Sequence, residues 1–328
     1  MAAPDQYIFL IDFFDHERFA QRAGIQAPGT CEGEADVSAY IDGLLEVTSA
    51  YPLSITDAQT HINYPDEVRT SFGFDICDVR ASATPSSMLG FGPSNVAFYL
   101  TSVEKDAIAA AVATDAEWSS QATATTIGSA ELYDWGDRPA AARSSLVRPL
   151  GIGGQLAVLD AGIVTRTRSS TDMDRVLDRD VDRLIDVPHV RAEMTKLTNA
   201  GAFAVNLSNW MIPASAVDGR FSQAGIEPLV LWDLLVEGRR IDEDGNVTQM
   251  VFLHGSAEDA RLNAARMQRN YENGTDLLTE QPFTEQFALA GIDVDGTRVV
   301  VTIRSELGTV TDPAERSYAS KAMFLTEG

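Results

Sequence analysis

The pair Asp295-Gly296 sits between 287–294 and a run from Thr297 to Arg304 rich in Val299, Val300, Val301 and Ile303. An Asp-Gly pair between two strand-like runs favours the positive φ angles of a type I′ turn, so this part of the chain is expected to fold as an antiparallel hairpin. A longer turn at Asp242-Glu243-Asp244-Gly245 joins 229–236 to 247–253, and a third joins 155–160 to 162–168 through Ala161. Helix starts are equally local. The boxes Thr101-Ser102-Val103-Glu104, Thr171-Asp172-Met173-Asp174 and Ser256-Ala257-Glu258-Asp259 predict helices running to Thr114, Ile185 and Glu272. In the last, Ala257, Ala260, Ala264, Met267 and Tyr271 recur at helical spacing, and Asn273-Gly274 supplies the stop. So small a stripe is expected to pack closely on a sheet.

In chain order these signals give an α+β fold of two similar β-α-β-β-α halves, with antiparallel sheets covered by helices. The first set is a strand at 95–100, a helix at 102–114, strands near 123–133 and 162–168, and the helix at 172–185. The second is a strand at 248–254, a helix at 256–272, the Asp295-Gly296 hairpin and a final helix at 313–325. The expected division is an accessory segment at 1–92 docking on the first half, a first half at 93–198 and a second at 199–328. A length of 328 residues accommodates two such domains.

Charge excludes some partners. The chain carries 48 acidic against 25 basic residues, net −23, and every successive block of fifty is net negative. Counterion release at a nucleic acid or an anionic bilayer needs clustered cations, so neither is an expected partner. Only Lys105, Lys196 and Lys321 are lysines, a composition that fits a high-salt environment or a coding bias towards arginine. Residues 1–14 lack the basic start and long uncharged core of a secretory signal, and no run of 18 apolar residues occurs. Membrane insertion of this chain is therefore not expected. Cys31 and Cys77 lack C-x-x-C spacing; a disulfide, two unpaired thiols and a metal pair all remain open, and the disulfide would imply an oxidising compartment.

The chemical motifs are weak. Gly151-Ile152-Gly153-Gly154 precedes a strand-like Gln155-Leu156-Ala157-Val158-Leu159, whereas a dinucleotide loop opens a helix. His254-Gly255-Ser256 brings a histidine near a serine, but Ser256 is the expected helix cap. His16, His61, His189 and His254 share no metal-binding spacing, and Asp242–Asn246 and Asp293–Gly296 lack the spaced ligands of a calcium loop. The mixed Asp/Arg run 172–183 reads as a solvated helix face over Met173, Val176, Leu177, Val181, Leu184 and Ile185. Trp210 and Trp232 read as core. No catalytic, cofactor-binding or metal residue is assigned, and no cofactor is expected.

The segments Ile11-Asp12-Phe13-Phe14, Gly73-Phe74-Asp75-Ile76, Thr101-Ser102-Val103, Leu156-Ala157-Val158-Leu159-Asp160 and Asp295-Gly296-Thr297-Arg298-Val299-Val300 resemble a group of uncharacterised bacterial cell-envelope lipoproteins. The resemblance spans most of the chain and implies envelope placement, with no activity attached; the group's signal peptide and lipobox cysteine are not seen here. The function expected is a non-enzymatic, extracytoplasmic binding or structural domain for an unknown protein or small-molecule ligand. The alternative is a cytoplasmic enzyme from a high-salt organism with a carboxylate-based site.

Overall fold

The structure, a computed structural model, describes residues 9–26, 29, 34–47, 65–87, 96–115, 122–136, 154–159, 162–167, 170–177, 187–209, 224–276 and 280–305. The chain divides into two compact units, one of Met1–Tyr7, Ile11–Leu45 and Tyr51–Asp186, the other of Ile8–Leu10, Glu46–Ala50 and Val187–Gly328. Both are α+β with antiparallel strands.

The first unit holds β1 (Phe9–Asp15, from Ile11 onward), α1 (His16–Ala23), α2 (Glu34–Val47, to Leu45), α3 (Pro65–Phe72), a 3₁₀ turn (Ile76–Asp78), β2 (Val79–Ser87), β3 (Ala97–Thr101), α4 (Lys105–Thr114), β4 (Thr123–Ile127), β5 (Ala130–Asp134), β6 (Gln155–Val158), β7 (Ile163–Thr167) and α5 (Ser170–Leu177). Its strands run in the order β1-β2-β3-β7-β6-β5-β4. One face packs Val79, Tyr99, Leu156, Val158 and Val164 against Phe72 of α3 and Ile108 and Val112 of α4. Strand alternation turns Leu132 and Ala157 to the other face, where they meet the fully buried Met173 of α5. Strands β1 and β2 thus belong to this sheet, and Phe72, Phe74 and Val79 to its core, so residues before 93 build the unit itself.

The second unit holds α6 (Pro188–Asn199), β8 (Ala204–Ser208), β9 (Leu234–Asp242), β10 (Gly245–Leu253), α7 (Ala257–Asn273), the short α8 (Phe283–Gln286), β11 (Ala288–Asp295) and β12 (Arg298–Ser305), ordered β8-β9-β10-β12-β11. Met250, Phe252, Val299, Val301 and Ile303 face α7 through Ala260 and Met267, with Ala264 and Tyr271 at the margin, as the small apolar stripe requires. On the opposite face α6 comes so close that a Cβ on Gly238 would stand 2.8 Å from Leu197.

Several local expectations change. Helix α4 begins at Lys105 with Glu104 as its cap and no side-chain capping bond. Thr101 instead ends β3 opposite Val79, and its hydroxyl donates to the carbonyls of Val103 and Gly162. Helix α5 begins at Ser170 and is described to Leu177; 178–186 lie outside the described residues, as does the expected helix at 313–325. The Ser256 cap holds: its hydroxyl accepts from the Asp259 amide, and α7 runs to Asn273. Gly274 is not left-handed (φ −87°); glycine suits the site because a Cβ would lie 2.5 Å from the Asn270 carbonyl. At the β11–β12 turn Asp295 pairs with Arg298, so Gly296 and Thr297 are the central residues. Gly296 alone has positive φ, at 59°, which excludes type I′ and matches the glycine-first type II′ pattern.

The internal duplication is not confirmed. Thr123 to Asp134 is a complete hairpin, and β6 and β7 follow it, so four strands come after α4 where the repeat calls for two; only β11 and β12 follow α7.

Candidate functional site

Several of the buried polar side chains among the described residues belong to networks. In the second unit α7 carries Asn263 and Asn270 on its buried face, both 0% exposed. Asn263 Oδ1 accepts from the Val230 amide at 2.8 Å, and its Nδ2 donates to the Val230 carbonyl at 2.8 Å and to His254 Nε2 at 2.8 Å. Asn270 treats Glu227 in the same way, accepting at 2.7 Å and donating at 2.9 Å. The dimensions agree: seven residues of helix rise about 10.5 Å, and three extended steps from Glu227 to Val230 span about 10 Å. Between them Arg266 Nη1 donates to the carbonyl of Pro228, which has no amide hydrogen to satisfy. Leu229, fully buried, drops into the α7 core.

His254 closes this network. Because Nε2 accepts from Asn263, the ring is the Nδ1–H tautomer, and Nδ1 donates to the Thr297 carbonyl at 3.3 Å. Burial pushes its pKa below the ordinary histidine value, against the pull of the Thr297 and Phe252 backbone. Ser256, the other half of the suspected pair, donates to Asp259 Oδ2 and serves α7 as its cap.

The first unit contains a cluster that sequence spacing did not disclose. His16, Tyr40 and Ser82, 24 and 66 positions apart from the histidine, meet around one imidazole: Nδ1 lies 3.1 Å from the Tyr40 hydroxyl and Nε2 lies 3.3 Å from Ser82 Oγ. A serine beside an imidazole is the start of a nucleophile and base pair. Here, however, His16 and Tyr40 are 0% exposed, Ser82 is 6% exposed, and Phe14 lies edge-on to the imidazole at 4.6 Å. The imidazole and both hydroxyl-bearing residues are thus nearly closed to solvent.

Three of the buried carboxylates are matched by cations. Asp75 accepts from Arg69 and from the Cys77 amide in the capping box of the 3₁₀ turn. Glu193 accepts from Arg298 at 3.0 Å and from Lys196 at 2.8 Å, and Glu237 accepts from Arg239 at 2.8 Å. Such pairs hold their charges in place, since a buried carboxylate without a partner is strongly penalised. Asp78, near Asp75, is pushed upward by burial.

Other residues singled out by sequence have structural posts. Gly154 leads directly into β6, and its carbonyl accepts from the Trp135 amide; Gly151–Gly153 lie outside the described residues. Asp242 and Asp244 flank Arg304 at 2.8 and 3.7 Å, which explains the acidic hairpin turn. Asp293 and Asp295 lie exposed on β11. Trp232 is buried against Phe252 at 5.0 Å, whereas Trp210 and His61 lie outside the described residues; His189 is exposed on α6. Among the described residues no group of three or more His, Cys, Asp or Glu is placed to hold a metal, and no helix is long and apolar enough to cross a membrane. Cys77 is fully buried and no described cysteine is free; Cys31 lies outside the described residues.

Strand β4 is exposed at all five residues and bound to β5 on one side. Its turn, Gly128-Ser129, has Gly128 at φ 62°.

No family model and no curated protein matches this sequence. Among solved structures the chain is similar to crystal form I of TP0453, with a TM-score of 0.38 and 11% identity over 96% of this chain and 93% of that one. Crystal form III of TP0453 gives a TM-score of 0.39 and 10% identity over 95% and 93%.

Proposed function

We propose that this chain is a non-enzymatic binding or structural protein working outside the cytoplasm, in or near the cell envelope. The observation that carries the first part is the commitment of the two imidazoles buried among the described residues. His16 and His254 each have both ring nitrogens engaged by hydroxyl, amide or carbonyl partners, so each fixes a core in place of serving a substrate. The arginine partners of Asp75, Glu193 and Glu237 argue the same way against a carboxylate-based site.

Ser82 beside His16 provides the test. A fluorophosphonate probe, which labels serines activated by histidine, is expected to leave Ser82 unmodified in the folded protein. Stoichiometric labelling of Ser82, abolished by His16→Ala in a variant that still folds, would overturn the reading.

The compartment rests on the cysteines. The Gly29 amide donates to the Cys77 carbonyl, which brings the chain two residues before Cys31 to the buried cysteine. We infer a Cys31 to Cys77 disulfide, a bond that persists in oxidising compartments and stabilises by roughly 2–4 kcal/mol. Non-reducing peptide mapping is expected to recover the two cysteines in one linked fragment; recovery of both thiols free contradicts the inference.

A further inference from the structure

The two units each end in an edge strand, and the edges are built differently. β11 carries a bulge between Leu289 and Gly291 and the charges of Asp293 and Asp295, devices that discourage pairing. β4, Thr-Ala-Thr-Thr-Ile, has no charge, no proline and an unbroken register with β5. Ile127 and Ala130 flank a two-residue turn and so form the narrow, hydrogen-bonded pair. Alternation then turns the backbone of Thr125 and Thr123 towards β5 and that of Ala124 and Thr126 outward. An outward row of amides and carbonyls on an uncharged strand is a template for an extended chain.

Charge selects which chain. Between Ala97 and Gly136 the sequence has six carboxylates and one cation, Lys105. Lys105 is already occupied, donating to the Ser129 carbonyl and lying 3.7 Å from Glu131. A second copy would bring another net −23 to this edge, and like charge opposes its docking. The geometry points to β4 as a docking edge for an extended, cationic polypeptide segment that adds one strand beyond it. This rests on the binding function proposed above and names its partner.

The experiment titrates the whole chain, by calorimetry, with a short synthetic peptide of alternating valine and lysine and with its glutamate-for-lysine counterpart. The lysine peptide binds and the glutamate peptide does not, and added salt weakens the complex. Thr126→Pro, which deletes an outward amide and leaves the β4–β5 ladder intact, weakens binding by about tenfold or more. Thr126→Val, which keeps the backbone, stays within about twofold, as expected for a surface change. No binding by the lysine peptide, equal binding by both peptides, or a wild-type response from Thr126→Pro overturns the proposal. A concentration-dependent dimer removed by Thr126→Pro assigns the edge to a second copy and also overturns it. Binding indifferent to Thr126→Pro refutes the edge while leaving the binding function standing, whereas fluorophosphonate labelling of Ser82 refutes that function itself.

Discussion

The segment Glu227–Val230 and the strand β4 are both short extended stretches on an α+β unit, yet their backbones are treated in opposite ways. Asn270 and Asn263 supply Glu227 and Val230 with the donor and acceptor that a neighbouring strand would supply, at 2.7 to 2.9 Å. Ala124 and Thr126 keep theirs turned to solvent. The contrast shows where this protein spends polar side chains on itself. A part-buried extended segment laid against a helix is satisfied internally, because a backbone group left unpartnered away from water costs about 1–3 kcal/mol. An exposed edge is satisfied by water and can exchange that water for a partner.

The largest expected effect is at Asn263. Replacing it with leucine strands the Val230 amide, the Val230 carbonyl and His254 Nε2 together, and urea unfolding is expected to show a loss of about 3–5 kcal/mol. A loss below about 1 kcal/mol would mean that water replaces the clamp and that the contrast is false. Asn270→Ala strands two groups and is expected to cost about 2–4 kcal/mol in the same assay. Gly274→Ala drives a methyl to 2.5 Å from the Asn270 carbonyl and 3.0 Å from the Phe283 ring, for an expected cost of about 1–3 kcal/mol.

The strand β4 gives the smaller, sharper pair. Thr125→Pro removes an amide that serves β5 and should shift the melting midpoint measurably, whereas Thr126→Pro removes one that serves only solvent and should cost about 0.5 kcal/mol or less. Equal costs would mean that the alternation along β4 is misplaced. His254 adds a pH dependence. Its folded pKa is depressed, so the unfolded chain takes up the proton first, and stability fully present above the reference value of 6.5 is lost below it as pH falls through the lower folded value. His254→Gln is expected to flatten that part of the stability profile.

Elements governed by local chemistry were legible in the sequence. The Ser256 cap, the small apolar stripe of α7 and the strands flanking Asp295 need only a few neighbouring residues to specify them, whereas the strand before Asp242, expected at 229–236, runs Leu234–Asp242 and turns through Glu243-Asp244. Thr101 shows where local reading fails: its box pattern is sound, but pairing with Val79 of β2 claims the residue for the sheet. The sites were less legible. Asn263 and Asn270 fall within the stripe that includes Ala260 and Met267, and a polar residue on an apolar helix face is a signal for a buried partner. The meeting of His16 with Tyr40 and Ser82 has no such signal, because three separate elements bring them together. The openness of β4 is likewise a property of strand order, which an isolated Thr-Ala-Thr-Thr-Ile cannot announce.

Native-state hydrogen exchange of single amides tests the central contrast most directly. The amides of Glu227 and Val230 should exchange slowly, near the rate of global unfolding, as should those of Thr125 and Ile127 relative to their neighbours. The amides of Ala124 and Thr126 should exchange quickly in the free protein. Protection of Ala124 and Thr126 equal to that of Thr125 and Ile127, or fast exchange at Glu227 and Val230, would contradict the account.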